Sequence, residues 1–131
     1  MKYRELILDN CIEINRLKKN IDSTFNVKNK KNEWREACAE FHENYNQLCF
    51  WNGVSDYRTE IRNGNQDAIE YYITFIELRP YFFRSGYIYQ DLIRVLRNVK
   101  LSKSHRARFE RVKKNYMIYR QNRKRKTDNY K

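Results

Sequence analysis

Turn-forming residues are scarce in this chain, with three glycines and one proline in 131 residues. An all-β sandwich or barrel needs a tight turn about every ten residues, so that class is disfavoured. Long apolar runs are also missing. None approaches the ~20 residues of a bilayer-spanning helix, and the opening MKYRELILDN lacks a signal-peptide core. Cysteine is limited to Cys11, Cys38 and Cys49, with no Cys-x-x-Cys pair, which argues against a disulfide framework or a zinc ribbon. Buried thiols in a reducing, cytoplasmic setting are the expectation. The chain has no P-loop, no Gly-x-Gly-x-x-Gly and no Gly-x-Ser-x-Gly. It is expected to be no enzyme and to use no cofactor or metal.

What is present is hydrophobic mass and positive charge. Apolar residues make up 40% and aromatics 15%, too much for a disordered chain even at a mean hydropathy of −1.02. The length suits one domain with one core. The net charge is +12, and it is unevenly placed. From Lys100 onward thirteen Lys and Arg face only Glu110 and Asp128, whereas residues 1–99 carry fifteen against fourteen carboxylates. A near-neutral body therefore ends in a basic arm, a pattern that suits a polyanion.

Apolar spacing predicts helices. Ile7, Cys11, Ile14, Leu17, Ile21 and Phe25 recur in steps of three or four, widened by Leu8 and Ile12. Asn32 is placed to cap a second helix that buries Trp34, Cys38, Phe41, Tyr45 and Leu48 and exposes Glu33, Glu36, Glu40 and Glu43. These two helices should form an antiparallel pair. Asn52-Gly53 ends the second helix, and Ser55 starts a short third one. Ala68, Ile69, Tyr72, Ile73 and Ile76 give a fourth, although the β-branched and aromatic run Tyr71–Phe75 also permits a strand. Arg79-Pro80 closes it. Ser85 is placed to cap a fifth helix carrying Ile88, Leu92, Val95, Leu96 and Val99, with a hairpin at Ser85-Gly86 as the rival. Ser102 caps the last, whose seam is Phe109, Val112, Tyr116 and Tyr119.

The fold class expected is all-α, a compact bundle of about five to six helices over residues 1–119. It ends in a basic C-terminal helix and a flexible, fraying tail over residues 120–131. The expected core includes Ile14, Phe41, Tyr45, Ile73, Leu92 and Leu96.

Two local patterns resemble known families. Ala68, Tyr72, Phe75 and Pro80 have the spacing of the second helix of a tetratricopeptide repeat, but Asn52, Ser55, Asp56 and Thr59 do not supply its first helix. Arg35 and His42 form Arg-x6-His, which resembles the signature of the helical HEPN ribonucleases and would imply a pair acting on a scissile phosphate. Seven residues is two helical turns, so the two would share a face. With Arg so common, chance also produces such a pair. A HEPN-like ribonuclease is therefore the minor alternative.

The electrostatic signal gives the main expectation, a small basic helical protein that binds RNA or DNA mainly through phosphates. The candidate contacts are Arg94, Arg97, Lys103, Arg106, Arg108, Arg111, Lys113, Lys114, Arg120, Arg123, Lys124, Arg125 and Lys126. His105 is placed as one further phosphate contact. In the segment RPYFFRSGYIY, the residues Tyr81, Phe82, Phe83, Arg84 and Tyr87 are candidates for base stacking or partner docking. The alternative is a protein-interaction module that docks through residues 79–89 onto an acidic protein surface. No membrane is expected as partner, since the last helix has a narrow apolar seam and no Trp anchor.

Overall fold

The computed structural model describes residues 2–129. Six α-helices follow in order: α1 Arg4–Thr24, α2 Lys31–Cys49, α3 Tyr57–Arg62, α4 Gln66–Leu78, α5 Ser85–Arg97 and α6 Lys103–Asn129. A 3-10 turn at Trp51–Gly53 separates α2 from α3. No strand occurs among the described residues.

The hydrophobicity of α4 explains the arrangement. Ala68, Ile69 and every residue from Tyr71 to Ile76 are buried, so the middle of this helix is enclosed and needs neighbours on every side. It packs against α1, α3, α5, α6 and the 3-10 turn. The β-rich run Tyr71–Phe75 is thus a central helix and no strand. Its tyrosines retain polar partners. Tyr71 donates to the Cys49 carbonyl at 3.1 Å, and the Tyr72 hydroxyl accepts from the Trp51 amide at 3.1 Å. These bonds fasten the end of α2 to the middle of the core.

Helices α1 and α2 pack as an antiparallel pair. Phe25 meets Trp34 beside the connection, and further along Arg16 lies 3.7 Å from Glu40. Of the broad α1 stripe only Ile7, Ile14 and Leu17 are buried, while Leu8, Ile12 and Phe25 are exposed. On α2, Phe41 and Cys49 are buried; Trp34, Cys38, Tyr45 and Leu48 are half-buried. Burial pushes the Cys49 thiol up to about 12, so it is inert. Cys11 and Cys38 are half-buried free thiols.

Several caps differ from expectation. Helix α2 begins at Lys31 without a side-chain cap, so Asn32 already lies inside it. Asp56, not Ser55, caps α3 by accepting from the Thr59 amide. Ser85 is the first residue of α5, and its hydroxyl accepts from the Phe82 amide at 3.0 Å; no hairpin forms there. Ser102 does cap α6, accepting from the His105 amide at 3.1 Å.

Helix α6 runs beside α4 in the same direction, with His105 opposite Glu70 and Tyr116 near Arg79. Phe109 and Val112 are buried and Tyr116 is half-buried, but Tyr119 is 46% exposed, so the seam stops short of its expected end. The helix itself continues through Arg120 to Asn129.

No helix among the described residues is long and apolar enough to cross a membrane. Of the six expected core residues, all are buried except Tyr45, which is half-buried. Leu96 is fully buried. Leu96→Ala is expected to cost about 2–5 kcal/mol in a urea titration; a loss below about 0.5 kcal/mol would show the α5 face to be loosely packed.

Candidate functional site

Between α4 and α5 the chain makes two left-handed bends at non-glycine residues, Arg79 (φ 48°) and Arg84 (φ 67°). Each costs on the order of 1 kcal/mol and persists only when its surroundings hold it. Here they do. Pro80 and Phe82 are buried, and the Arg79 amide caps α4 by donating to Phe75. The Tyr81 carbonyl accepts from Asn15 at 3.0 Å and from the Cys11 thiol at 3.4 Å. The Phe83 carbonyl accepts from the Tyr45 hydroxyl at 2.7 Å. Helices α1 and α2 thus grip the backbone of this connection and leave several of its side chains outside.

The aromatic segment divides accordingly. Phe82 and Tyr89 belong to the core, so Phe82 is no stacking surface. Phe83 is 42% exposed and leans on Phe41 and Tyr45. Tyr81 is 89% exposed and Tyr87 78%, and neither has a ring partner among the described residues. Arg84 is exposed and lies 5.2 Å over the Phe83 ring.

Two open clefts meet at this connection. One, of about 1000 Å³, is walled by α1, the 79–84 connection, the start of α5 and Tyr116 and Tyr119 of α6. The other, of about 800 Å³, extends along α6 to Lys124. They share Arg79, Gln90, Tyr116 and Tyr119, so they form one continuous groove. Among the described residues its cations are Lys18, Arg79, Arg84, Arg120, Arg123 and Lys124, and its one carboxylate, Asp22, is 2.5 Å from Lys18.

The candidate cations therefore fall into groups. Arg120, Arg123 and Lys124 line the groove together with Arg84. Arg125 is exposed one residue beyond, and the side chain of Lys126 lies outside the described residues. Arg94, Arg97, Lys103 and Arg111 are exposed but are not part of the groove. Lys113 and Lys114 border a separate hollow of about 250 Å³, with Lys113 also 4.0 Å from Glu110. Arg106 is half-buried, donates to the Val99 carbonyl at 3.0 Å and lies 3.6 Å from Glu110.

Arg108 leaves the phosphate-contact set. Its guanidinium is 2.7 Å from Glu70 and 2.6 Å from Glu77, and it also donates to Thr74 at 3.2 Å. Its donors are spent on locking α6 to α4. His105 likewise faces inward, buried, with Nε2 3.4 Å from Glu70 and Nδ1 unpartnered, so it offers no phosphate contact. Arg35 and His42 are both exposed on α2, and no hydrogen bond joins them. The acidic residues Glu33, Glu36, Glu40 and Glu43 are exposed too. Among the described residues no group of three or more His, Cys, Asp or Glu could hold a metal ion.

No family model, curated protein or solved structure matches this chain. The groove must therefore be read from its own chemistry.

Sequence reasoning missed Arg79 and the role of Tyr119. The Arg79 charge lies 4.8 Å from the Tyr89 ring centre, 4.7 Å from Tyr119 and 5.9 Å from Tyr116. The only local signal was the Arg-Pro step that ends α4, and it says nothing about tyrosines ten to forty residues away.

The Glu70 carboxyl is drawn down to about 2, chiefly by the hydrogen bond from Arg108, with Thr74 and His105 adding to it against the opposing cost of burial. A depressed acid stabilises the fold above its unfolded pKa, and that contribution fades as pH falls towards the folded value. Folding stability should therefore drop by about 2–3 kcal/mol from this group between about pH 4.5 and 2. Denaturant titrations across that range should show a shallower fall in Glu70→Gln than in the wild type.

Proposed function

We propose that the chain is a small nucleic-acid-binding protein whose affinity is mainly phosphate-driven through α6 and the groove beside it. The observation that carries this reading is the charge of the groove. Arg79, Arg84, Arg120 and Lys124 line one continuous surface whose one carboxylate among the described residues is already paired with Lys18. Such an array reaches successive phosphates and gains from releasing their counterions. The three free thiols suit the reducing, cytoplasmic setting that this reading assumes.

A second reading is supported by the open faces of Tyr81 and Tyr87. A helical interaction module docking an acidic protein segment would use the same rings and cations. The two readings differ in salt response and in which residues matter.

Removing residues 120–131 deletes six Lys and Arg together with Asp128. The fold should survive, because the core contacts of α6 end at Tyr116. If the intact chain engages about six phosphates, its log K should fall with log salt at a slope of roughly −5 on a duplex or −4 on a single strand. The truncated chain should give a visibly shallower slope in fluorescence titrations at three salt concentrations. No binding to any RNA or DNA at about 50 mM salt would leave the protein-interaction module standing.

In this reading the chain binds and does not cleave. The double variant Arg35→Ala, His42→Ala should match the wild type in affinity and leave a labelled RNA intact for the same time. Ribonuclease activity that vanishes in a folded double variant would replace binding with a HEPN-like reaction.

A further inference from the structure

We propose that the groove is a track for single-stranded polynucleotide, with Arg79 gripping a phosphodiester and Tyr81 and Tyr87 stacking on neighbouring bases. This rests on the nucleic-acid reading above and narrows it to one class of ligand.

Arg79 lies over three rings, where Arg84 and Arg120 each lie over one. Its backbone is fixed in a left-handed bend at the end of α4, and its charge lies over the faces of Tyr89 and Tyr119. A cation–π contact restrains the side chain without using its five N–H donors. No carboxylate among the described residues pairs with it, in contrast to Arg108. An arginine restrained in this way, with its donors unspent, suits the two non-bridging oxygens of a phosphodiester. It also sits where the two clefts join, so a ligand running from one to the other passes it.

The rings decide between strand types. A duplex presents phosphates to a protein surface but keeps its base faces stacked inside, so exposed tyrosines beside the cations would touch nothing useful. Tyr81 and Tyr87 line the same cleft as Arg79 and Arg84, and both are more than three-quarters exposed. Their open π-faces match unpaired bases, which stack without sequence preference. The first turn of α5 also lines this cleft, placing the positive end of that helix near the strand. From there the track continues along α6 past Arg120 and Lys124.

The shared chemistry is a single-stranded phosphodiester chain, and separate RNA and DNA probes distinguish the sugar. Fluorescence anisotropy on the full chain would use labelled oligo(U) and oligo(dT) of about 15 nucleotides, and a duplex of equal length, at about 100 mM salt. At least one single strand should bind about tenfold or more tighter than the duplex, and the tighter of the two identifies the preferred sugar. Tyr81→Ala with Tyr87→Ala should weaken single-strand binding about tenfold or more while leaving the salt slope unchanged, because stacking releases few counterions. Both rings are open, so this variant should keep the wild-type circular dichroism spectrum. Arg79→Gln should weaken binding and flatten the slope by about 0.7, one phosphate's share on a single strand. Duplex binding as tight as single-strand binding would overturn the track and leave the phosphate-driven reading intact. Wild-type affinity in the double tyrosine variant would do the same. Displacement of the strand by polyglutamate as readily as by unlabelled strand would overturn it in favour of acidic-protein docking. Failure of every nucleic acid to bind would remove both the track and the reading beneath it.

Discussion

Helix α4 cannot be left open to water on any side, and the rest of the molecule is arranged around that constraint. Its residues from Tyr71 to Ile76 are all buried, so α1, α3, α5 and α6 must each supply a wall. The polar members of α4 then determine which wall goes where. Glu70, Thr74 and Glu77 share the face towards α6, and three polar groups in a half-buried seam need donors. Arg108 supplies them with one guanidinium, binding all three. That is why one arginine of the basic helix serves the fold while those further along it remain at the surface.

The same logic places the groove. Since α4 ends at Leu78 and α5 begins at Ser85, the connection must reverse the chain within a few residues, and two left-handed arginines achieve it. Glycine would take these bends with less strain. Arginine at both sites leaves two cations on the outer edge of a turn whose carbonyls are held by Asn15, Cys11 and Tyr45. Rigidity here comes from α1 and α2, far from α4 in sequence, which makes the antiparallel pair a support for the surface as well as part of the bundle.

Much of the fold was legible in the sequence because helical spacing is a local signal. The stripes over α1, α2, α5 and the first half of α6 predicted their helices, and Ser102 predicted its cap. Signals that depend on distant partners were not legible. At Tyr71–Phe75 the sustained three-to-four spacing did predict the helix, but its burial on all sides could not be read locally. Arg108 reads like any other arm cation until Glu70 and Glu77 are brought opposite it from more than thirty residues away. In the aromatic segment, buried Pro80 and Phe82 alternate with exposed Tyr81 and Phe83 and carry no helix pattern, so which rings are core and which are open depended on how the turn was clamped. Composition had located the basic arm, but the Arg79 cage is a tertiary product.

The charge distribution is consistent with the packing in one further respect. The carboxylates of α2 lie on its exposed face, and the one that forms an ion pair among the described residues, Glu40, pairs with Arg16 of α1. Glu40 thus faces α1, while among the described residues Asp22 is the carboxylate that lines the groove. Separating the two signs in this way preserves a field that internal neutralisation would cancel. In the proposed nucleic-acid reading, an incoming polyanion would meet Arg79 where the two clefts join, so steering and local geometry would favour the same point.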